Sequence, residues 1–347
     1  MENDVPFISI IIPCRNEEEN LSDCLDSILA QDYPKEKVEI IVVDGMSQDR
    51  TREIIESYTR EHVLIKLLDN PRKTTPCALN AGINSSAGDI ILIMGAHSIY
   101  EPSYVSKSVN NLIHSDADNV GGVCKIIAKS DDVVPKCIAY ALSSPFGAGN
   151  SYYRIGSKRP RYVDTLFGGC YRKEVFDKIG LFDEELIRGQ DTEFNARLTK
   201  NGGRILLVPD IVSHYYARGS LSKLWEKERQ YGYFKPLIVR KVGGIFTLRQ
   251  LAPPLFVSVL AVSLILSAFS NYFLWLLFCI LGFYGLLNLI FSIRIGRKEM
   301  LKCCCILPIV FVIIHFGWAS GYLKGIWDFI ILKKDKKMRI ADMPLTR

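Results

Sequence analysis

Largely apolar runs punctuate the first hundred residues at 7–12, 38–43, 63–68 and 90–94, each short and each closed by polar or small residues. Such runs predict buried strands. Between them the apolar positions change period. Leu21, Cys24, Leu25, Ile28 and Leu29 recur at helical spacing within 17–30, with acids in the first turn, where they complement the helix dipole. Residues 52–58 and 75–85 predict two further helices. Strand and helix in alternation imply an α/β domain with a mostly parallel central sheet covered on both faces. In such sheets ligands bind beyond the carboxyl ends of the strands.

Polar chemistry stands at each of those ends. Arg15-Asn16-Glu17 follows the first run, Asp44 closes the second, Asn70-Pro71-Arg72-Lys73 follows the third, and Gly95-Ala96-His97 follows the fourth. The set suits a nucleotide, with a carboxylate for base or ribose and cations for phosphates. No Gly-x-Gly-x-x-Gly follows the first strand and no Walker loop is present, which disfavours a dinucleotide fold or a nucleoside triphosphatase. Signals weaken over 120–160, and 147–160 reads as a long loop. A strand is expected at 162–167, then Gly168-Gly169-Cys170 and a helix over 173–179. Gly189-Gln190-Asp191-Thr192-Glu193 opens another helix, whose two acids could serve its dipole or chemistry.

The pattern changes after about residue 249. Residues 255–269 and 273–293 are apolar without a charge, and they predict a membrane hairpin turning at Ser270-Asn271, the first helix reaching spanning length only with help from 251–254. Arg294, Arg297, Lys298 and Lys302 follow and place that end in the cytosol. Residues 306–332 are apolar but carry His315, Lys324 and Asp328, with a basic tail after them. A tight hairpin or a partly interfacial segment there keeps the tail inside. Upstream, Arg218, Lys223, Lys227, Arg229, Lys235, Arg240, Lys241 and Arg249 interleave with Leu221, Leu224, Trp225, Leu237 and Ile238. That reads as an amphipathic helix at an anionic membrane face. The expected organisation is therefore a cytosolic domain over 1–217, an interfacial segment over 218–250, transmembrane helices over 251–332 and a cytosolic tail over 333–347.

Composition adds little. The chain of 347 residues is 48% hydrophobic, and its formal charge of +6 gathers near the apolar segments. No DNA- or RNA-recognition motif occurs, so nucleic acid is not expected as a partner. Ten cysteines without a Cys-x-x-Cys pair do not read as a disulfide framework, and Cys303-Cys304-Cys305 reads as small hydrophobes. The amino terminus carries acids where a signal peptide needs bases.

Several stretches together resemble the family-2 glycosyltransferases of the GT-A fold. Pro13-Cys14-Arg15-Asn16-Glu17 is similar to that family's opening Pro-x-x-Asn-Glu, and VVDGMSQDRT to its second motif. NPRKTTPCALNAGINSSAGDIILIMGAHS resembles the branch of succinoglycan-type glucosyltransferases. FGGCYRKEVFDKIGLFDEEL and GQDTEF resemble the acceptor region and the catalytic motif. The resemblance covers about residues 7–241.

It implies an inverting transfer of sugar from a nucleotide sugar, a UDP-sugar first of all, to a lipid-linked or cell-surface glycan at a membrane. Asp191 would be the base. Pro13, Arg15, Glu17, Asp44, Lys73, Asn80 and Arg229 would bind the nucleotide sugar, and Gly168, Gly169 and Gln190 would line the acceptor region. His97 falls where the family holds a divalent metal, Mn or Mg; imidazole suits manganese, whereas magnesium prefers oxygen. Two departures are Gly95, where the family's first aspartate is expected, and Gln190 for the usual glutamate. Gly95 keeps open an alternative, a non-catalytic member that binds a nucleotide sugar or scaffolds polysaccharide assembly.

Overall fold

The computed structural model describes residues 5–244 and 248–336. The chain forms two compact units, one from residues up to 125 with 156–215, the other from 126–155 with 216 onward.

In the first unit the strand–helix alternation appears as expected. β1 (Ile8–Cys14), α1 (Leu21–Leu29), β2 (Val38–Asp44), α2 (Thr51–Glu61), β3 (Ile65–Asp69), α3 (Thr75–Ser85) and β4 (Ile90–Ile93) follow one another. β1 pairs in parallel with β2, Ile8 opposite Val38 through Cys14 opposite Asp44, and with β4, Ile8 opposite Ile90 through Ile11 opposite Ile93. β3 pairs in parallel with β2. Two polar residues interrupt the buried runs, and they satisfy each other. Ser9 Oγ donates to Glu39 Oε1 at 2.6 Å, joined by the Ala87 N–H at 2.6 Å, while Lys66 Nζ reaches Oε2 at 2.7 Å. Burial works to raise the Glu39 pKa, but these hydrogen bonds outweigh it and hold the carboxyl below its ordinary value.

The chain then runs through β5 (Ser98–Tyr100), α4 (Tyr104–Ile113) and β6 (Asn119–Ile127). After α5 (Val133–Leu142), α6 (Pro145–Ala148) and α7 (Tyr152–Ile155) come β7 (Arg161–Tyr162), β8 (Gly169–Arg172), α8 (Glu174–Ile179), α9 (Gln190–Lys200) and β9 (Ile205–Tyr216). The sheet order is β3-β2-β1-β4-β8-β6-β9-β5, with β7 on β9. Only the β1–β4 half is parallel. β8 runs antiparallel to β4 and β6, and β9 antiparallel to β5 and β7. The expected mostly parallel sheet is therefore mixed, because helical crossovers stop after β4 and β8 enters from the opposite direction.

The second unit is helical. α10 (Leu221–Val242) is followed by α11 (Ala252–Leu266), α12 (Asn271–Lys298) and α13 (Cys303–Gly325), the last continuing as a π turn over Ile326–Ile331. α12, of 28 residues and mean hydropathy 2.3, is long and apolar enough to cross a membrane, as is Cys303–Ile331, of 29 residues and mean hydropathy 2.1. Three expectations change. α11 has 15 residues, about 22 Å at ~1.5 Å per residue, short of a ~30 Å hydrocarbon core. Residues 303–331 are one continuous helical segment rather than a tight hairpin. Cys137 of α5 is disulfide-bonded to Cys303, so Cys303 is a cross-link rather than a simple small hydrophobe. Residues 337–347 of the expected basic tail lie outside the described residues.

α10 is helical as its pattern predicts, with its packed face against α13. Gly317, Gly321 and Gly325 recur every four residues along α13. A Cβ at Gly321 would sit 2.0 Å from the Arg229 carbonyl oxygen, and one at Gly325 2.1 Å from that of Tyr233. On α10, a Cβ at Gly232 would sit 2.1 Å from the Trp318 carbonyl oxygen. Small residues thus let two backbones touch. Lys227 and Lys235, counted above among the basic residues of an amphipathic helix, are buried, as is Glu228. Lys227 Nζ lies 3.9 Å from Glu228 Oε1. We expect Gly321→Val to separate α10 from α13, cost roughly 1–3 kcal/mol and lower the melting temperature of the full chain in detergent. Gly282→Val on α12, where nothing lies within 4 Å of the added carbon, is the control and should leave melting unchanged.

Candidate active site

The loops that follow β1 and β2 are stitched to one another. The Asn16 N–H donates to Ser47 Oγ at 2.9 Å, and the Gln48 N–H donates to Asn16 Oδ1 at 2.9 Å. The Glu17 N–H donates to Thr51 Oγ1 at 2.7 Å, the Glu18 N–H to Asp49 Oδ2 at 3.3 Å, and the Arg50 N–H to Glu18 Oε2 at 3.0 Å. Asn16 holds φ at +53°, the left-handed region that asparagine tolerates better than most residues. Pro13 lies in β1 opposite Val43, past the last β1–β4 pair, and the Arg15 side chain lies against Gly45.

Asp44 ends β2 with its side chain fully buried. Its Oδ1 accepts from Ser47 Oγ at 2.6 Å and from the Ser47 N–H at 3.1 Å, and Arg52 Nη1 stands 3.5 Å from Oδ2. Arg52 also binds Asp69, Asp44's partner on β3, at 2.6 Å. Lys73 is exposed in the next loop with φ at +61°. Asn80 departs from expectation. Its Nδ2 donates to the Phe182 carbonyl at 2.9 Å and to Glu184 Oε1 at 3.1 Å, and its Oδ1 accepts from the Phe182 N–H at 2.9 Å. An amide so engaged and 5% exposed braces the 182–184 segment and has little left for a nucleotide. Arg72 pairs with Glu184 and reinforces the same brace.

After β4 the Gly95 backbone is pinned. Its N–H donates to Tyr100 Oη at 2.6 Å, and its carbonyl accepts from Tyr100 Oη at 3.3 Å and from Cys24 Sγ at 3.5 Å. A Cβ on Gly95 would meet the Phe167 ring at 3.6 Å, ordinary van der Waals contact. Neither conformation nor space requires glycine there. His97 follows with its side chain 38% exposed and Nδ1 3.2 Å from Glu17 Oε1. Its ring meets Tyr215 edge-on at 5.0 Å between centroids.

Among the described residues no three His, Cys, Asp or Glu side chains converge as a metal cage. A divalent ion nevertheless fits the donors present. In the tautomer that donates from Nδ1 to Glu17, the Nε2 lone pair is the one a metal can use. Oxygens of a substrate diphosphate and water would complete the coordination.

The far side of the edge is reached through aromatic contacts. Tyr215 meets Phe167 at 5.7 Å, and Phe167 leads into Gly168 and Gly169. A Cβ on Gly168 would lie 2.5 Å from the Ile93 carbonyl oxygen, and one on Gly169 2.5 Å from Asn119 Oδ1; φ is +68° and +141°. Of these glycines, expected to line the acceptor region, Gly168 is needed so that the chain entering β8 can approach β4, and Gly169 so that it clears Asn119 of β6. Tyr171 Oη donates to the Gly168 carbonyl at 3.4 Å. Burial, and then the nearby charge of Asp191, push the Tyr171 phenol pKa up.

Asp191 is the second residue of α9, half-buried, its Oδ1 accepting from the Thr192 N–H at 2.8 Å. Glu193, two residues on, is buried and held bidentately by Arg197 at 2.8 and 2.9 Å. Arg197 in turn caps the carbonyls of Ile179, Gly180 and Leu181. One acid of GQDTEF is thus structural. Gln190 opens α9 beside Asp191, half-buried. Arg229, expected with the nucleotide, is exposed on α10 in the second unit. Sequence reasoning missed Tyr215 and Tyr100, which no motif announces; Phe167, Ser47, Asp49 and Thr51 stood inside quoted motifs.

Residues 9–180 match the family model for Glycosyl transferase family 2. Over 326 residues the chain is 33% identical to a dolichyl N-acetyl-alpha-D-glucosaminyl phosphate 3-beta-D-2,3-diacetamido-2,3-dideoxy-beta-D-glucuronosyltransferase of Methanococcus voltae, covering 92% of this chain and 97% of that protein. It is 24% identical over 322 residues to the succinoglycan biosynthesis protein ExoA of Rhizobium meliloti, covering 92% and 95%. A mannosyltransferase from Pyrobaculum calidifontis, PcManGT, solved in complex with GDP-Man and Mn2+, shares the fold at a TM-score of 0.59 and 18% identity, over 94% of this chain and 88% of that one.

Asn80→Ala should therefore act on stability. Leaving the Phe182 N–H and carbonyl without partners costs ~1–3 kcal/mol. Nucleotide affinity of the folded protein, read by calorimetric titration, should stay within about twofold of wild type. Lost affinity at unchanged melting temperature would return Asn80 to the binding set.

Proposed function

The chain belongs to the family-2 glycosyltransferases, and from that premise we propose that it transfers a sugar from a nucleotide sugar, with inversion, to a lipid-linked glycan at a membrane. The observation that carries this reading is the polar edge on which His97 and Asp191 are linked through Tyr215, Phe167, Gly168 and Tyr171. In this reading the base lies near Asp44 and the Pro13–Arg15 loop, whose Arg15 side chain packs against Gly45, and Lys73 serves the diphosphate.

Inversion is supported by the asymmetry of GQDTEF. Arg197 holds Glu193 bidentately, and in this reading Asp191, whose Oδ1 accepts from the Thr192 N–H, takes the proton. In a direct displacement the acceptor oxygen bonds to the anomeric carbon as the bond to the diphosphate oxygen breaks. The hydroxyl proton passes to Asp191 and the electron pair leaves with the diphosphate. When bound, a divalent ion supplies positive charge to the diphosphate oxygens. An imidazole donor favours manganese over magnesium.

The membrane reading rests on α12 and on residues 303–331, and on the lipid-linked acceptor named for the Methanococcus voltae relative. Arg294, Arg297, Lys298 and Lys302 between these segments support a cytoplasmic location for that end. The boundaries 1–217, 218–250, 251–332 and 333–347 are proposed in that sense, with 126–155 added to the helical part.

Gly95 favours a second reading, a member that binds a nucleotide sugar without turning it over. One experiment decides between them. Full-length protein in detergent is offered radiolabelled nucleotide sugars and membrane lipid extract with manganese. Turnover by the wild type, and its loss by about two to four orders of magnitude in Asp191→Asn with nucleotide-sugar affinity nearly intact, supports the enzyme. Retained turnover in Asp191→Asn removes Asp191 from the base role, and binding without turnover in the wild type supports the second reading.

A further inference from the structure

We propose that Glu17 is a positioning residue that fixes the tautomer and orientation of His97, so that Nε2 is held ready for the divalent ion of a nucleotide diphosphate. This rests on the reading of His97 as a metal ligand. Four observations converge on it.

The Glu17 carboxylate is 3.2 Å from His97 Nδ1, across 80 residues of sequence. Glu17 is held from both sides, through its N–H on Thr51 Oγ1 and its Oε2 on Asn20 Nδ2 at 3.1 Å. The imidazole also meets the Tyr215 ring edge-on, at 77° between ring planes. The segment that carries His97 is anchored two residues earlier, where Tyr100 and Cys24 grip Gly95.

The chemistry explains why such positioning matters here. A site built on two aspartates offers up to four oxygens, and rotation of either carboxylate still presents a donor. With Gly95 contributing no side chain, the loop offers a single nitrogen. An imidazole with the proton on Nε2, or with its ring turned, offers that ion nothing. A carboxylate accepting from Nδ1–H removes both failures and raises the basicity of the ligating nitrogen. The same carboxylate also restores a negative charge, one atom shell removed, to a loop that has lost an acid. Glu17 therefore acts through His97 rather than on the nucleotide.

The test uses the full chain in detergent, the variants Glu17→Ala, Glu17→Gln, Asn20→Ala and His97→Ala, and two readouts that need no turnover. Manganese chloride is titrated calorimetrically, alone and with uridine diphosphate or guanosine diphosphate. Histidine ring nitrogens are observed by NMR in 15N-histidine-labelled, metal-free protein; the chain has 5 histidines, so His97 is assigned by its loss in His97→Ala.

The expected result is Nδ1–H in the wild type, its loss in Glu17→Ala, and a fall of about 10- to 100-fold in manganese affinity. Glu17→Gln, which keeps an acceptor without the charge, should recover part of both. Asn20→Ala, which loosens Glu17 but keeps its carboxylate, should lower both by less than Glu17→Ala does. Manganese affinity undiminished in Glu17→Ala, alongside its loss in His97→Ala, overturns the positioning role while leaving His97 as ligand. Affinity undiminished in His97→Ala, or no manganese binding by the wild type with either nucleotide, overturns the His97 reading itself. A lowered melting temperature in Glu17→Ala with unchanged tautomer and affinity makes the contact structural and also overturns the proposal.

Discussion

Because β1 pairs in parallel with both β2 and β4, the three strands run toward one edge, Asp44 level with Cys14 and Ile93 level with Ile11, and the loops leaving them open on that edge. Parallel strands buried on both faces can carry almost no polar side chain in their middles; Ser9 and Glu39 are tolerated only as mutual partners. Polar residues are driven to the strand ends, and the pairing gathers those ends together. A reactive edge is thus a consequence of the sheet before any ligand is considered. β8 completes it from the other direction, and Gly168 is what permits that approach, since any side chain there would meet the Ile93 carbonyl.

The helical unit answers to a different constraint. α10 carries many charges, and α13 is apolar along most of its length, a pairing that side chains alone would keep apart. Glycines at 232, 317, 321 and 325 bring the backbones together instead. Close approach excludes solvent from the seam, which is why Lys227, Glu228 and Lys235 are buried despite their type. Buried charges need partners. Asp328 has two, Tyr233 Oη at 2.9 Å and Lys334 Nζ at 2.7 Å, joining α10, the π turn and the chain beyond it.

The strand–helix order of the first hundred residues and the polar strand ends were legible because burial imposes a period that composition cannot disguise. What was not legible depended on partners distant in sequence. Asn80 reads as a free amide until Phe182 is placed against it, 102 residues away. Gly168 and Gly169 read as ligand-facing until β4 is laid beside them. The antiparallel half of the sheet follows from where β8 enters, and β8 has only four residues to announce itself. Along 306–332 the charges argued for a break. Hydropathy has no means of showing that glycines spaced by four could seat those charges against another helix.

The motif residues of the first two loops lead to the last step. Asn16, Glu18, Ser47, Asp49 and Thr51 spend their hydrogen-bonding capacity on one another. Even Asp44 is turned inward to Ser47 and Arg52. Residue types that suggest ligand contact are thus largely holding two loops in register, leaving few side chains over for binding. Precision is what such an investment returns. A loop closed at several points moves little, so the Glu17 carboxylate stays where the His97 ring needs it, and the edge-on contact with Tyr215 limits the ring further. A site with one nitrogen in place of several carboxylate oxygens gives up redundancy, and it can function only if the remaining donor is aimed. The stitched loops provide that aim.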